Sequence, residues 1–370
     1  MSIQAPEAVV LVRPHHFVPN PGTEADNVFQ LAGAMPVANA AAVAAAAYDE
    51  ITRVAQALKA EGIHVHLFED KSTTRPDSVF PNNWFSTHTG GHVAIYPMYP
   101  ANRRAERRSD VIEMLKLRYR VQDVIDYSGL EFDDVFLEGT GAMVLDHGSR
   151  VAYVARSNRS DPIALERFCT NFGYEPTVFD AADPSGAPIY HTNVMMTVAT
   201  EFALVGLELI VSPQRRAEVA ERLAEYGRTV IGLSYEQVRE FAGNAIELRS
   251  SGGRLLAISR RGLASLRPGQ IAAIGASCRI LPLDVPTIEL AGGSVRCIIA
   301  GIHLDARPGH RTPHRGISHP AANRPDHLLG EPDNVALNPA KRRRTVRPSH
   351  PTDSPSVLVP LTLDHPACSL

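Results

Sequence analysis

Cysteine is scarce. Four occur in 370 residues, Cys169, Cys278, Cys297 and Cys368, with no CxxC pair among them, which argues against a disulfide framework and a zinc cluster. No apolar run approaches the roughly 20 residues of a bilayer span; the longest, over 38–47, is alanine-rich. No basic segment leading into an apolar one opens the chain, so a cytoplasmic protein without a membrane partner is expected. An excess of one charge is lacking too: 37 Lys and Arg against 40 Asp and Glu leave −3, no field that would draw a polyanion. Nucleic acid is therefore not an expected partner. What is there, 44% hydrophobic and 21% charged residues, suits a chain with at least one large core.

Composition changes after about residue 304. Residues 306–370 hold eleven prolines, six histidines and nine Arg or Lys, including the run Lys341-Arg342-Arg343-Arg344, with little apolar periodicity. Such a segment buries too little surface to offset its ordering entropy, so a disordered tail is expected there and one catalytic domain over 1–305. The basic run is the feature that would meet an anionic partner if the tail has one.

Within the domain, helix signals recur: 38–60 closing on Gly62, 103–117, 160–173 with Asp161-Pro162 at its start, 212–227 opening on Ser212-Pro213, and 268–274. A short helix follows Ser234, whose spacing to Gln237 makes a capping box. Apolar strand-like runs lie between, among them 9–12, 65–68, 142–145, 194–198 and 295–299. The pattern predicts an α/β fold of five modules, each mixing strands with one helix.

Asn83, Glu138, His191, Asn244 and Cys297 fall at one phase of these modules, 55, 53, 53 and 53 residues apart. In a ring of five similar modules such positions converge on the axis, so residues far apart in sequence share a pocket. A thiol attacks only as thiolate, and a neighbouring imidazole is its usual activator. Cys297 is thus the candidate nucleophile, His191 its acid–base partner and Glu138 the carboxylate that orients the imidazole. Gly139 and Gly141 after Glu138, and Gly292-Gly293 before Cys297, permit close approach of a ligand.

Leu137-Glu138-Gly139, His191 with Asn193 two places on, Ser157-Asn158-Arg159-Ser160, and Gly292-Gly293 before Cys297 resemble the guanidino-group modifying superfamily of arginine deiminases, dimethylarginine hydrolases and amidinotransferases. The segments Val12-Arg13-Pro14 to Gln30 and Phe80 to Trp84 resemble the citrulline utilisation hydrolase branch. The resemblance spans about 8–304 and implies a five-bladed, pseudo-symmetric α/β propeller (pentein-like) with the site on its axis. It also implies hydrolysis of a C–N bond through a covalent thiol adduct, with Arg159 holding the substrate α-carboxylate, and no cofactor or metal.

Where deiminases and their relatives carry aspartates against a cationic guanidinium, this chain has Asn82-Asn83 and Asn193. Asparagine offers both a carbonyl acceptor and an amide donor, which suits a neutral ureido group. Citrulline is the first expected substrate, held by Asn83, Asn193 and Asn244, with Asn83 preferred to Asn82 because it keeps the interval. The alternatives are an arginine or methylarginine hydrolase, an amidinotransferase, and a non-enzymatic amino-acid-binding propeller. Residues 15–27, rich in Pro, Gly and Asn, read as a lid or an ordinary loop. A small amino acid is the expected partner, and homo-oligomerisation is left open.

Overall fold

The structure, a computed structural model, describes residues 3–30 and 39–308. Fifteen strands form five three-stranded sheets with one repeated plan. In sheet order these are β15 (Ala300–Ile302), β1 (Ala8–Pro14) and β2 (His64–Asp70); β3 (Phe85–His88), β4 (His92–Ile95) and β5 (Asp123–Asp126); β6 (Met143–Asp146), β7 (Val151–Ala155) and β8 (Glu175–Phe179); β9 (Met196–Val198), β10 (Phe202–Val205) and β11 (Thr229–Gly232); and β12 (Ile246–Ser250), β13 (Gly253–Ser259) and β14 (Arg279–Leu283). In each, the first pair is antiparallel and the second parallel. A parallel pair cannot be joined by a tight hairpin, and each has a helical crossover. These are α1 (Ala40–Ala60), α2 (Ser109–Arg118), α4 (Pro162–Phe172), α5 (Pro213–Ala224), and the pair α7 (Arg260–Ser265) and α8 (Pro268–Gly275). The first sheet joins β15, near residue 300, to β1, near residue 8. The first strands also meet one another: β15 touches β3, β6 touches β9, and β9 touches β12.

Local chemistry explains the helix ends. Asp161 accepts from the Ile163 amide with Pro162 at the first turn, and Gly173 closes α4 at φ 64. Ser212 caps α5 through the Arg215 amide, and Ser234 with Gln237 forms the expected capping box on α6 (Tyr235–Arg239). Helix α1 buries Ile51, Val54, Ala55 and Leu58, one face at i, i+3, i+4 and i+7, in a core shared with Val9 and Leu11 of β1.

Two expectations need correction. The helix expected over 103–117 is broken: a 3-10 stretch, Ala101–Glu106, precedes α2, and Arg107 and Arg108 between them are extended. Their guanidinium groups reach away to Glu131 and to the Glu69 carbonyl, which holds the backbone out of a continuous helix. The strand expected over 295–299 is the short helix α10 (Val295–Ile298), and β15 starts only at Ala300. A run of buried apolar residues looks alike in either state. At the end of the described chain, Ala306 bridges Tyr119 and Arg307 donates to the carbonyls of Lys116 and Tyr119. The rest of the tail expected over 306–370 lies outside the described residues. Among the described residues no helix is long and apolar enough to cross a membrane.

Candidate active site

The five residues spaced at the modular interval sit just before the first strand of each sheet. Asn83 ends a 3-10 turn (Pro81–Asn83) ahead of β3, and Glu138 precedes α3 (Gly139–Ala142) ahead of β6. His191 precedes a 3-10 turn (Thr192–Val194) ahead of β9, Asn244 lies two residues before β12, and Cys297 is in α10 ahead of β15. The turns pack together, α3 against those at 81–83 and 192–194, and α10 against that at 81–83. All five side chains are buried. Gly141 is part of the fit: a Cβ there would stand 2.2 Å from Asn83 Nδ2 and 2.8 Å from His191 Cε1.

Glu138 is the hub of one wall. Its Oε2 faces His191 Nε2 at 2.9 Å, Arg159 Nη1 at 3.2 Å and Arg103 Nη1 at 3.5 Å. Burial alone would raise this carboxyl, but Arg159, the His191 hydrogen bond and Arg103 together hold it well below the ordinary range. Burial pushes the His191 imidazole down to about 4 even against Glu138, so it rests neutral with Nε2–H on the carboxylate. Arg159 is fully buried and takes a second carboxylate: Nη2 and Nε donate to Asp26 Oδ1 and Oδ2 at 2.5 and 3.0 Å.

The opposite wall carries the thiol. Asn244 Nδ2 donates to Cys297 Sγ at 3.2 Å and Asn193 Nδ2 does so at 3.4 Å. Burial raises the thiol pKa, while these two amides, the Ser294 backbone and the nearby Arg296 charge pull it down. Asn244 is itself locked, its Oδ1 accepting from the amides of Ser294 and Arg296. His191 and Cys297 have no hydrogen bond between them; both line one small cavity.

The cavity unites Cys297, His191, Asn83 and Arg159, with Glu138 directly behind His191. Asn82 is buried but does not line it. Asn193 and Asn244, expected to hold the substrate, instead direct their amides at sulfur. Arg159, expected to await a carboxylate, is occupied by Asp26 from the 15–27 loop.

Sequence reasoning missed Asp77 and Arg103, which also line the cavity. Arg103 reaches Glu106 at 2.9 Å, Asp77 at 3.4 Å and Asn83 Oδ1 at 3.0 Å. Asp77 is held by Asn20 Nδ2 at 2.7 Å, and burial raises its carboxyl against the pull of Arg103. Neither residue falls at the modular interval, and Arg103 stands in the arginine-rich run 103–108, which reads as solvated surface. Among the described residues no group of three or more His, Cys, Asp or Glu is placed to hold a metal.

The fold, five repeated three-stranded α/β sheets, is one this chain shares with solved guanidino-modifying enzymes of the pentein type. Within that class the chain belongs to the family described as N,N dimethylarginine dimethylhydrolase, eukaryotic, which it matches over residues 13–304. The chemistry named for that family is hydrolysis at a carbon–nitrogen bond. Similar solved structures include apo ArgZ, an arginine dihydrolase from the ornithine–ammonia cycle in Cyanobacteria (TM-score 0.61, 15% identity, 81% of this chain and 41% of that one). The product-bound N-terminal domain of ArgZ matches at TM-score 0.62 and 16% identity, over 80% of this chain and 97% of that one. A dimethylarginine dimethylaminohydrolase adduct with 4-chloro-2-hydroxymethylpyridine matches at TM-score 0.55 and 14% identity, over 82% and 100%. At these identities the likeness is one of fold, and this chain spans about two fifths of the length of whole ArgZ. No curated protein matches it.

Proposed function

We propose that the protein is a cysteine-dependent hydrolase acting on the terminal C–N bond of an arginine-type guanidino amino acid. The reading is supported above all by one observation, a small buried cavity shared by Cys297, the Glu138-bound His191 and the Asp77 carboxylate. In it the five sheets act as blades of one propeller over 1–305, with the cavity on its axis and residues 306–370 outside the chemistry. Cys297 Sγ attacks the guanidino carbon as thiolate, its proton passing to the free Nδ1 of His191, which becomes the imidazolium that serves the next step. The amine leaves with a proton delivered by His191, and the adduct is then opened by a water that His191 deprotonates. Glu138 stays ionised and holds the ring in position. Asp77 offers the cation a carboxylate partner, and Asn193 and Asn244 steady the negative sulfur. Access to Arg159 requires Asp26 to withdraw, one carboxylate exchanging for the α-carboxylate of the substrate, with residues 15–27 as the moving segment.

A second reading keeps the same machinery with citrulline as substrate. It is favoured by Asn83, whose Oδ1 is taken by Arg103 while its buried Nδ2 has no partner and can donate to a ureido oxygen. Turnover of arginine, dimethylarginine and citrulline, scored for ammonia, dimethylamine, citrulline and ornithine, separates the two. Arginine or dimethylarginine turned over faster than citrulline supports the first, the reverse order supports the second, and no release from any of the three overturns both.

A further inference from the structure

Behind the nucleophile lies a second, larger cavity of about 620 Å³, partly open to solvent, that shares no lining residue with the first. Arg296, adjacent to Cys297 in α10, lines it. Its Nη1 donates to the Ile299 carbonyl at 3.0 Å, and among the described residues no carboxylate lies within ion-pair distance of its guanidinium. Every other arginine lining either cavity is ion-paired. A charge without a counter-ion is costly where it is partly shielded from water, and desolvation draws this half-buried guanidinium down to about 10, so it is still charged at neutral pH.

The rest of the wall fits an anion. His147 and His303 stack with centroids 3.8 Å apart beside Arg296, and burial keeps both neutral, His303 with a pKa near 4. His147 Nδ1 is engaged by the Tyr174 hydroxyl at 2.8 Å, which leaves its Nε2 for a ligand. One acid, Glu247, also lines the cavity, but its Oε2 accepts from the Thr200 amide and hydroxyl at 2.7 and 2.6 Å and its Oε1 lies 3.5 Å from Arg254. Burial raises its carboxyl against the pull of Thr200 and Arg254.

We propose that this cavity is a binding site for a small oxyanion, gripped by the Arg296 guanidinium and His147 Nε2–H on the far side of α10 from the Cys297 thiol, with the His303 ring, whose own N–H is spent on the Ile3 carbonyl, stacked behind His147. A planar guanidinium meets two oxygens of phosphate or a carboxylate at once, which a halide cannot match. Resting on the proposed nucleophile, one consequence follows. The bound anion offsets the Arg296 charge that favours the thiolate, so the occupied site slows Cys297.

The test is titration calorimetry of the full chain with inorganic phosphate, against sodium chloride at matched ionic strength. Saturable one-to-one uptake is expected, weakened at least about tenfold in Arg296→Met and by less in Arg296→Lys, which keeps the charge without the fork. Absence of saturable uptake, or equal affinity in both variants and the wild type, overturns the site. Should Arg296→Met not fold, Arg296→Lys alone decides, since phosphate held elsewhere leaves its affinity unchanged. Alkylation of Cys297 by iodoacetamide is expected to slow several-fold with phosphate in the wild type and not in Arg296→Met, which has no charge to offset. Alkylation indifferent to phosphate, with uptake intact, overturns the link to the thiol, and neither readout depends on which amino acid is the substrate.

Discussion

The two walls of the catalytic cavity are built on different electrostatic principles. The Glu138 wall is a web of ionisable groups, with Arg159, Arg103, Asp26, Asp77 and Glu106 joined through pairs of 2.5 to 3.5 Å, in which burial lifts the Glu106 carboxyl to about 8 while the arginines hold Glu138 ionised. The Cys297 wall holds one ionisable thiol between the neutral amides of Asn193 and Asn244. In the proposed route, fixed charge suits a residue that must remain ionised throughout, the part assigned to Glu138. Neutral donors suit a sulfur that changes charge during the reaction, because they favour the thiolate without making it too stable to attack. Cys169 sharpens the point: burial alone acts on it and drives its pKa to about 12.

The comparison breaks most completely at the sulfur. Cys297→Ala is expected to abolish turnover while Cys169→Ala and Cys278→Ala retain it, as a steady-state assay would register. Retained activity in Cys297→Ala removes the covalent route.

On the charged wall, Glu138→Gln leaves two buried arginines short of a counter-ion. It is expected to lose at least about a hundredfold in kcat and to destabilise by about 3–5 kcal/mol, read by denaturant unfolding. A stable Glu138→Gln protein would mean that Asp26 and Glu106 suffice for those cations.

Specificity tests the meeting of the walls. Asn83→Asp exchanges an unpartnered amide donor for a carboxylate beside Arg103 and is expected to shift kcat/KM toward arginine over citrulline by about ten- to a hundredfold. Asn82→Asp, outside the cavity, is the control.

On the neutral wall the effect is smaller. Asn193→Ala removes one donor to sulfur and should raise the thiol pKa by about one unit, seen in the pH dependence of Cys297 alkylation. An unchanged profile would assign the tuning to Asn244 and Arg296 alone.

Acid stability probes the whole core. His66, His191 and His303 have pKa values near 4 when folded, below the unfolded value of about 6.5. The unfolded chain then binds more protons between pH 6.5 and 4, so stability falls as pH drops through that window, by roughly 1–3 kcal/mol per histidine. A Tm flat from pH 7 to 4 would show these rings to be solvated.

Much of this was legible in the sequence because it depends on short-range rules. Capping residues, proline at first turns and one-face apolar spacing placed α1, α4, α5, α6 and α8. The equal interval located the turns ahead of the five first strands. The edge strands β3, β5, β8 and β11 escaped notice because none of them carries three apolar residues in a row. Helix α10 was read as a strand because a buried stretch of four residues has no visible period.

By itself, then, the sequence determined the α/β class, the modular repeat and the candidate trio Cys297, His191 and Glu138, since local propensity and periodicity are written in neighbouring residues. Tertiary structure alone decided the partners: Asp26 on Arg159, Arg103 between Asp77 and Glu138, Asn193 and Asn244 on sulfur, and Arg296 left without a carboxylate. Charge and desolvation act through space over a few ångströms, and the groups they couple here stand up to 133 residues apart in the chain.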